Sequence, residues 1–370
     1  MKAKIIKTGN ISKFDKDFPY NGWPTVISLE NGDLLCGYSG FREAHVCPFG
    51  KVVISRSTDG GYTWSEPNIV IDTPLDDRDA GLLEVDGAIY LNSFTNSRKI
   101  QQVYHRWHNH TPEQIARTDA YLETITDEIE QKYLGSLLSK STDGGKTFCA
   151  PVLIPVTNPH GLIKLKDGSM LLVGTGFGDP ENASFEYLPD RKGIFSMKVN
   201  PDLTFEKPIL VVPPTVAGEN TTKGANYFEP HAIDLGDKIL MGIRIADVEN
   251  ENALTIHHAY STDGGKTFST PVPTGFEGAP PHYYKDDKGR VVLSYSRRKA
   301  PYPTVVRFSL DNGETFGEEI VICENGLNAD LGYASTTQNA NGEYITVQYQ
   351  TDENNENHKA IKYTIWKLEE

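Results

Sequence analysis

Short runs in which apolar and polar positions alternate recur along the chain, each broken by a Gly-containing turn. They are SLENGDLLCGY, LEVDGAIYLNSF, IKLKDGSMLLVGTG, IDLGDKILMGIR, YKDDKGRVVLSYS and TQNANGEYITVQYQ. Asn-Gly and Asp-Gly between β-rich runs are the strongest short-range signals for a tight hairpin. A second series of turns is interleaved with the first: STDGGYTW from Ser57, STDGGKTF from Ser141 and again from Ser261, and the looser SLDNGETF from Ser309. In such a turn the Ser and Asp side chains bond nearby backbone N–H groups and the Gly pair permits positive φ. The final aromatic ring then folds back between strands. A further copy, NPDLTF from Asn200 to Phe205, keeps only the Thr-Phe ending.

Two hairpins per repeat make a four-stranded sheet, and a succession of such repeats predicts an all-β fold, a six-bladed β-propeller forming one domain over residues 1–370. The last unit ends KAIKYTIWKLEE without the second turn. The N-terminal AKIIKTGNI is therefore expected to complete that blade and close the ring, which removes unpaired edges. One stretch departs from the β pattern. TPEQIARTDAYLETITDEIEQKYL, Thr111 to Leu134, has Pro near its start, an early Glu, and Ile115, Tyr121, Leu122, Ile125 and Ile129 at helical spacing. It predicts a helical insertion over 103–135 in the second blade. The aromatic and basic YHRWHNH, Tyr104 to His110, leads into it, either as a lid over a sugar or as the surface flank of a packed helix.

Charge narrows the partners. A formal net charge of −14 lacks the basic footprint that nucleic acid or an anionic membrane requires. A small anionic substrate needs only a local group of Arg. No apolar run reaches bilayer-spanning length and the N-terminus has no signal-peptide core, so a cytoplasmic protein, or the mature form of a secreted or periplasmic one, is expected. Cys36, Cys47, Cys149 and Cys323 show neither metal spacing nor a disulfide framework and are read as free or packed thiols. No cofactor is called for.

The phase of the hairpins directs attention to one set of positions. The residue seven or eight places before each first-series turn enters the innermost strand, where blades converge: Trp23, Asp79, His160, Glu229, Pro281 beside His282, and Tyr333. These are mostly polar or aromatic where a packed core prefers Val and Leu. Polar groups converging at one end of a ring make a ligand site the default expectation.

The S-x-D-G-G-x-T-[WF] turns resemble the Asp boxes of the sialidase superfamily, a family of six-bladed propellers, and the likeness spans almost the whole chain. It implies a retaining exo-glycoside hydrolase. FEPHAIDLGDKILMGIR resembles the segment that supplies a Glu and then an Arg, here Glu229 and Arg244. DLGYASTTQNANGEYI resembles the segment of the nucleophilic Tyr, here Tyr333. A phenol with an ordinary pKa of about 10 needs a neighbouring carboxylate to take its proton, and sialidases are the Tyr exception among glycosidases.

The resemblance also implies three Arg around a substrate carboxylate. Arg244 matches one, and Arg298 or its neighbour Arg297 a second. Where the third is expected, in an Arg-Ile-Pro segment, this chain has Gly22-Trp23-Pro24, leaving Arg42 or Arg78 as substitutes. The family's general acid is an Asp on the first-blade loop, but GFREAHVCPFGK offers Glu43 and His45 instead, and PLDDRDAG offers Asp77 and Asp79. An acid working near neutral pH needs its pKa raised by burial or like charge. His160, His231 and His282, with Trp23 and His45, are expected to contact the sugar. No metal is expected, because His residues spaced blade by blade point inward from separate sectors. Three readings stand: a sialidase-like hydrolase of a terminal, possibly anionic sugar; an arabinanase-like hydrolase of a neutral sugar with Glu229 as nucleophile; and a non-catalytic propeller that binds carbohydrate.

Overall fold

The computed structural model describes residues 1–105, 110–177, 193–213, 226–246, 254–324 and 326–369. Hairpin follows hairpin, so that strands adjacent in sequence pair antiparallel. Asp76–Val85, Ala88–Asn96, Ser136–Ser141 and Val152–Ile154 form one four-stranded sheet. Asn226–Asp234 opens a second and His282–Lys285 a third. In a five-stranded sheet the innermost strand is broken into Val156–Thr157 and Ile163–Lys164, both paired with Met170–Gly176.

The remaining strands form one eight-stranded sheet. It consists of two four-stranded antiparallel runs, one opening at Tyr20–Ser28 and one at Gly332–Gln338, joined by a single parallel pairing of Tyr20 with Lys359. The architecture is a β-propeller with five continuous sheets, where the hairpin pattern predicts six separate blades. The innermost strands touch one another in a closed ring, from Tyr20–Ser28 through Asp76–Val85 and onward to Gly332–Gln338, which returns to Tyr20–Ser28. Closure by the N-terminus is present as expected: Lys2–Asn10 pairs with Asn355–Glu369, Lys2 opposite Glu369.

Because each sheet is covered on both faces, its central strands are buried throughout. Tyr344–Asp352 is buried at every residue, so its alternation is of apolar with small or amide side chains rather than apolar with charged ones. Trp366, fully buried, stacks on Tyr344 with ring centroids 4.3 Å apart and meets the edge of Phe308.

The Ser/Asp/Gly turns join the third and fourth strands, at the end away from the starts of the inner strands. In the turn from Ser261, the Asp263 carboxylate accepts from Thr267 Oγ1 at 2.6 Å and from the amides of Lys266 and Thr267, both at 3.0 Å. Ser261 Oγ donates to Asp263 and accepts from the Gly265 amide, with Gly264 and Gly265 at φ 73° and 84°. The Thr267 hydroxyl and these amides hold the Asp263 carboxyl down at about 2. The degenerate copy bends through Asp202 and Thr204, with Val199 bridged to Phe205.

Helices α1 (Arg98–His105), α2 (Pro112–Glu123) and α3 (Asp127–Tyr133) lie between the second and third strands of one sheet, at the end where inner strands begin. The insertion starts at Arg98 rather than residue 103, because Ser97 Oγ accepts from the Ile100 amide and begins the helix earlier. Thr111 and Gln114 form a reciprocal cap at the start of α2, with Pro112 in its first turn. A second cap, Thr126, splits the predicted single helix in two. Leu122, Ile125 and Leu134 seat the insertion, Ile125 and Leu134 packing against Leu75. Residues 106–109 of YHRWHNH lie outside the described residues. No helix of the described residues is long and apolar enough to cross a membrane.

Replacing Asp263 by Ala removes the acceptor of one turn while leaving the opposite end untouched. The variant is expected to lose about 1 kcal/mol of stability in denaturant titration, with ligand binding or turnover unchanged.

Candidate active site

At the start of four inner strands the pairing with the second strand slips, between Gly22 and Thr25, Arg78 and Gly81, Phe228 and His231, and Gly332 and Ser335. Each slip holds one non-glycine residue in the left-handed region: Trp23 at φ 54°, Asp79 at 60°, Glu229 at 41° and Tyr333 at 55°. A bulge takes its residue out of the ladder and re-aims the side chain. Left-handed backbone costs about 1–2 kcal/mol at each such residue. In the five-stranded sheet Gly161, at φ 99°, follows His160 in the interrupted inner strand. Four of the six positions singled out by hairpin phase are thus bulged; His160 and Pro281 beside His282 are not.

Two bulged side chains meet. Tyr333 Oη donates to Glu229 Oε1 at 2.5 Å, and Arg244 Nη1 donates to Glu229 Oε2 at 2.5 Å and stands 3.5 Å from Tyr333 Oη. Burial pushes the Glu229 carboxyl up, but the Arg244 charge and the Tyr333 and Arg244 hydrogen bonds outweigh it, and the net shift is downward. Burial and the Glu229 charge push the Tyr333 phenol well above its usual range. The resting pair is therefore phenol and carboxylate, already joined along the path of proton transfer.

Arg298 completes this group. Its charge acts on Glu229, Tyr333 and Tyr349, and a side chain at Gly332 would come within 3.8 Å of its Nη2. Among the described residues it has no acidic partner, and its Nε is buried without a hydrogen bond. Arg297 turns the other way, 3.6 Å from Glu319. That distinguishes two neighbours which the sequence leaves equivalent.

Asp79 is the other bulged carboxylic acid. Burial raises its carboxyl, the Glu229 charge adds to the rise, and Arg78 and Arg42 oppose it, leaving it at about 7. Asp77 is different in kind. Burial lifts it to about 8, but its oxygens accept from the Thr73 amide at 2.6 Å and Thr73 Oγ1 at 2.9 Å, so it closes a turn.

The first-blade candidates occupy one another instead of facing a ligand. Arg42 is wholly buried, 2.5 Å from Asp76, and donates to the Ser39 hydroxyl and the carbonyls of Asp77 and His45. Its guanidinium needs Gly50, since a Cβ there would lie 2.1 Å from Nη1. Arg78 also donates to the His45 carbonyl, at 2.6 Å, and lies over the Trp23 ring at 3.8 Å. Trp23 is 1% exposed and so is no platform for a sugar. Glu43, expected as a candidate acid, is sealed from solvent and ion-paired with Arg117 of α2. His45 is engaged by Tyr20 Oη at 2.7 Å and by Arg78, and burial lowers it to about 4.

The three inner-strand histidines also depart from expectation. They do not stay in separate sectors: His231 stacks on His282 at 4.6 Å between centroids, and His160 meets both edge-on at 5.7 and 5.0 Å. They lie behind Tyr333 on the channel side and line a cavity of about 330 Å³ with residues from all the inner strands. His231 Nδ1 accepts from the Tyr283 amide and His282 Nδ1 from the Thr336 amide, which protonates the other nitrogen of each. Burial keeps all three neutral. Among the described residues no His, Cys, Asp or Glu group has the geometry to hold a metal, and no two of the four cysteines form a disulfide.

The BNR/Asp-box repeat family matches residues 259–270, which contain the third Ser/Asp/Gly turn. Among solved structures, a protein of unknown function from Dyadobacter fermentans superposes with a TM-score of 0.75 at 20% identity over 99% of each chain. The NanB sialidase of Streptococcus pneumoniae superposes at 0.63 and 13% identity, over 98% of this chain and 70% of that one. The α-L-arabinanase of Penicillium chrysogenum does so at 0.62 and 14%, over 98% of both. The fold is the β-propeller of these structures. A search of curated proteins finds no sequence match.

Within this propeller, the hairpin phase does not reveal Asp76, Asp330 or Arg117. Asp330 accepts from Tyr20 at 3.0 Å, Tyr349 at 2.9 Å and Lys359, and so ties the first run of the eight-stranded sheet to the last. Its signal is its place three residues before Tyr333. Asp76 stands in the same acidic cluster as Asp79, and Arg117 shares a helical face with Tyr121.

The raised Asp79 carboxyl has a consequence for stability. At a folded value of about 7 against an ordinary 3.8, the folded protein keeps a proton that the unfolded chain releases. Stability then falls as pH rises between those values and stays reduced above them. Asp79→Asn is expected to melt higher than the parent at pH 8, the difference closing as the pH approaches 4; a difference independent of pH would contradict the burial of this group.

Proposed function

We propose that the protein is a retaining exo-glycoside hydrolase of the sialidase type on a six-bladed propeller, with Tyr333 as nucleophile, Glu229 as its base and Asp79 as the acid. The count of six rests on the closed ring of inner strands, the eight-stranded sheet being two blades joined at the Tyr20–Lys359 pairing. The observation that carries the chemistry is the 2.5 Å bond from Tyr333 Oη to a Glu229 carboxylate that is itself held by Arg244.

In the first half-reaction the phenol gives its proton to Glu229 as Oη bonds to the anomeric carbon. The glycosidic C–O bond breaks, and Asp79 protonates the departing oxygen. In the second, Asp79 takes a proton from water, which displaces Tyr333, and Glu229 returns the proton to the phenolate. Asp79 suits this exchange, since a value of about 7 lets it give and recover a proton near neutrality. A phenol presents no formal negative charge to a substrate carboxylate, which a carboxylate nucleophile would repel. Arg298, without an acidic partner among the described residues, and Arg244 support a sugar acid as substrate. With Trp23 in the third position and Arg42 bound to Asp76, the clamp has two guanidinium groups, so the sugar acid need not be sialic acid.

Aryl glycosides of sialic acid, uronic acids, arabinofuranose and rhamnose test the reading. Turnover is expected on an acidic sugar, with Tyr333→Phe reducing it by on the order of 10³-fold or more. Asp79→Asn should cost about 10²–10⁴-fold on poor leaving groups and little on activated ones, and the parent rate should fall as pH rises through about 7. Turnover of arabinofuranosides that survives Tyr333→Phe but not Glu229→Gln would make Glu229 the nucleophile. Binding without turnover across the whole panel would make the protein a carbohydrate-binding propeller.

A further inference from the structure

Among the described residues the helical insertion makes no hydrogen bond or ion pair with the groups given a chemical role above, yet one of its side chains reaches the corner beside them. Arg117 of α2 is ion-paired with Glu43, and its guanidinium lies over the Phe49 ring at 5.3 Å. One turn further along α2, Tyr121 packs on Phe49 with centroids 5.2 Å apart and donates to the Pro74 carbonyl at 3.1 Å. Two points on one helical face thus grip the two ends of the first-blade loop.

The loop between those points is built to be held. The Glu43 amide donates to Cys47 Sγ, the Gly50 amide to the Cys47 carbonyl, and the Asp77 amide to the Gly50 carbonyl. At its centre the His45 carbonyl accepts from both Arg42 and Arg78. Arg78 lies over Trp23, whose ring meets Tyr333 edge-on at 6.5 Å, and Arg78 is the residue before Asp79. An unbroken series of contacts therefore runs from α2 through the loop to the wall between the acid and the nucleophile.

We infer that the insertion is a positioning element of the site, and that Glu43 acts as a positioning residue through its pair with Arg117. The exposures fit this role. The Glu43 side chain is 1% exposed and that of Arg117 52%, so the carboxylate is shut in with one partner while the cation lies at the surface. Apart from that pair, neither oxygen of Glu43 has a hydrogen bond among the described residues. Loss of Arg117 leaves a bare buried carboxylate, which relaxes by moving toward water and takes the loop with it.

The inference rests on the hydrolase reading for its kinetic arm and stands apart from it for its structural arm. In hydrogen exchange on the full chain, Arg117→Ala is expected to speed exchange of the amides of residues 43–50 at least tenfold, with Arg117→Lys restoring part of the protection. Unchanged protection in Arg117→Ala would overturn the inference whether or not any glycoside is turned over. With a substrate in hand, Arg117→Ala and Glu43→Gln should raise KM several-fold, by the same factor for poor and activated leaving groups, and leave the alkaline limb of the kcat profile in place. If Glu43→Gln instead abolishes turnover of poor leaving groups, spares activated ones and moves that limb, Glu43 is the acid and the inference fails.

Discussion

Four non-glycine residues held in left-handed backbone at the mouth of a ring are the constraint on which the rest of this structure depends. An inner strand with regular pairing would send Asp79, Glu229 and Tyr333 alternately toward neighbouring blades. The slip in register turns each toward the axis, where side chains from different blades come within bonding distance. Such conformations persist only where the surroundings over-determine them. Here the surroundings are sheets buried on both faces and a ring closed by the pairing of Lys2–Asn10 with Asn355–Glu369. Order at the remote end, in the Ser/Asp/Gly turns, thus supports strain at the working end.

Electrostatics then divides the charged residues into two groups. Arg42 and Arg78 share Asp76, Arg117 pairs with Glu43, and together they build a wall with Trp23 inside it. Arg244, Arg298, Glu229 and Asp79 share a smaller space without full compensation: Arg244 belongs to Glu229, Arg298 to nothing charged among the described residues, and Asp79 is left to burial. The arrangement favours an incoming anion near Arg298. In the proposed reaction, an anion drawing Arg244 away from Glu229 would make that carboxylate a better base, so that binding of an acidic sugar would activate Tyr333.

The repeat explains why so much of this was legible in the sequence. In a ring of like units, distance from a hairpin turn maps to the same point in space in every blade, so counting back from the turn reached Trp23, Asp79, Glu229 and Tyr333 without any structure. What counting could not reach depends on partners from other units. Nothing near Arg42 in the sequence marks Asp76 as the carboxylate that holds it, and nothing near Glu43 marks Arg117 of α2 as its partner. Arg297 and Arg298 are adjacent in sequence and differ only in which way the loop presents them. The three histidines converge because the channel is narrow enough for side chains from separate sectors to stack, which spacing along the chain does not encode. The fusion of two runs into one eight-stranded sheet turns on a single pairing that no local pattern encodes.

Covalent capture tests the central claim, that the bulges make Tyr333 a nucleophile with Glu229 as its base. A glycosyl fluoride of the sugar that is turned over, carrying a second fluorine beside the anomeric carbon, slows both half-reactions while its leaving group preserves the first, so the intermediate accumulates. Intact mass followed by peptide mapping is predicted to find one sugar per chain, attached to Tyr333. Attachment to Glu229, or turnover of the unfluorinated sugar with no adduct on any residue, would contradict the account.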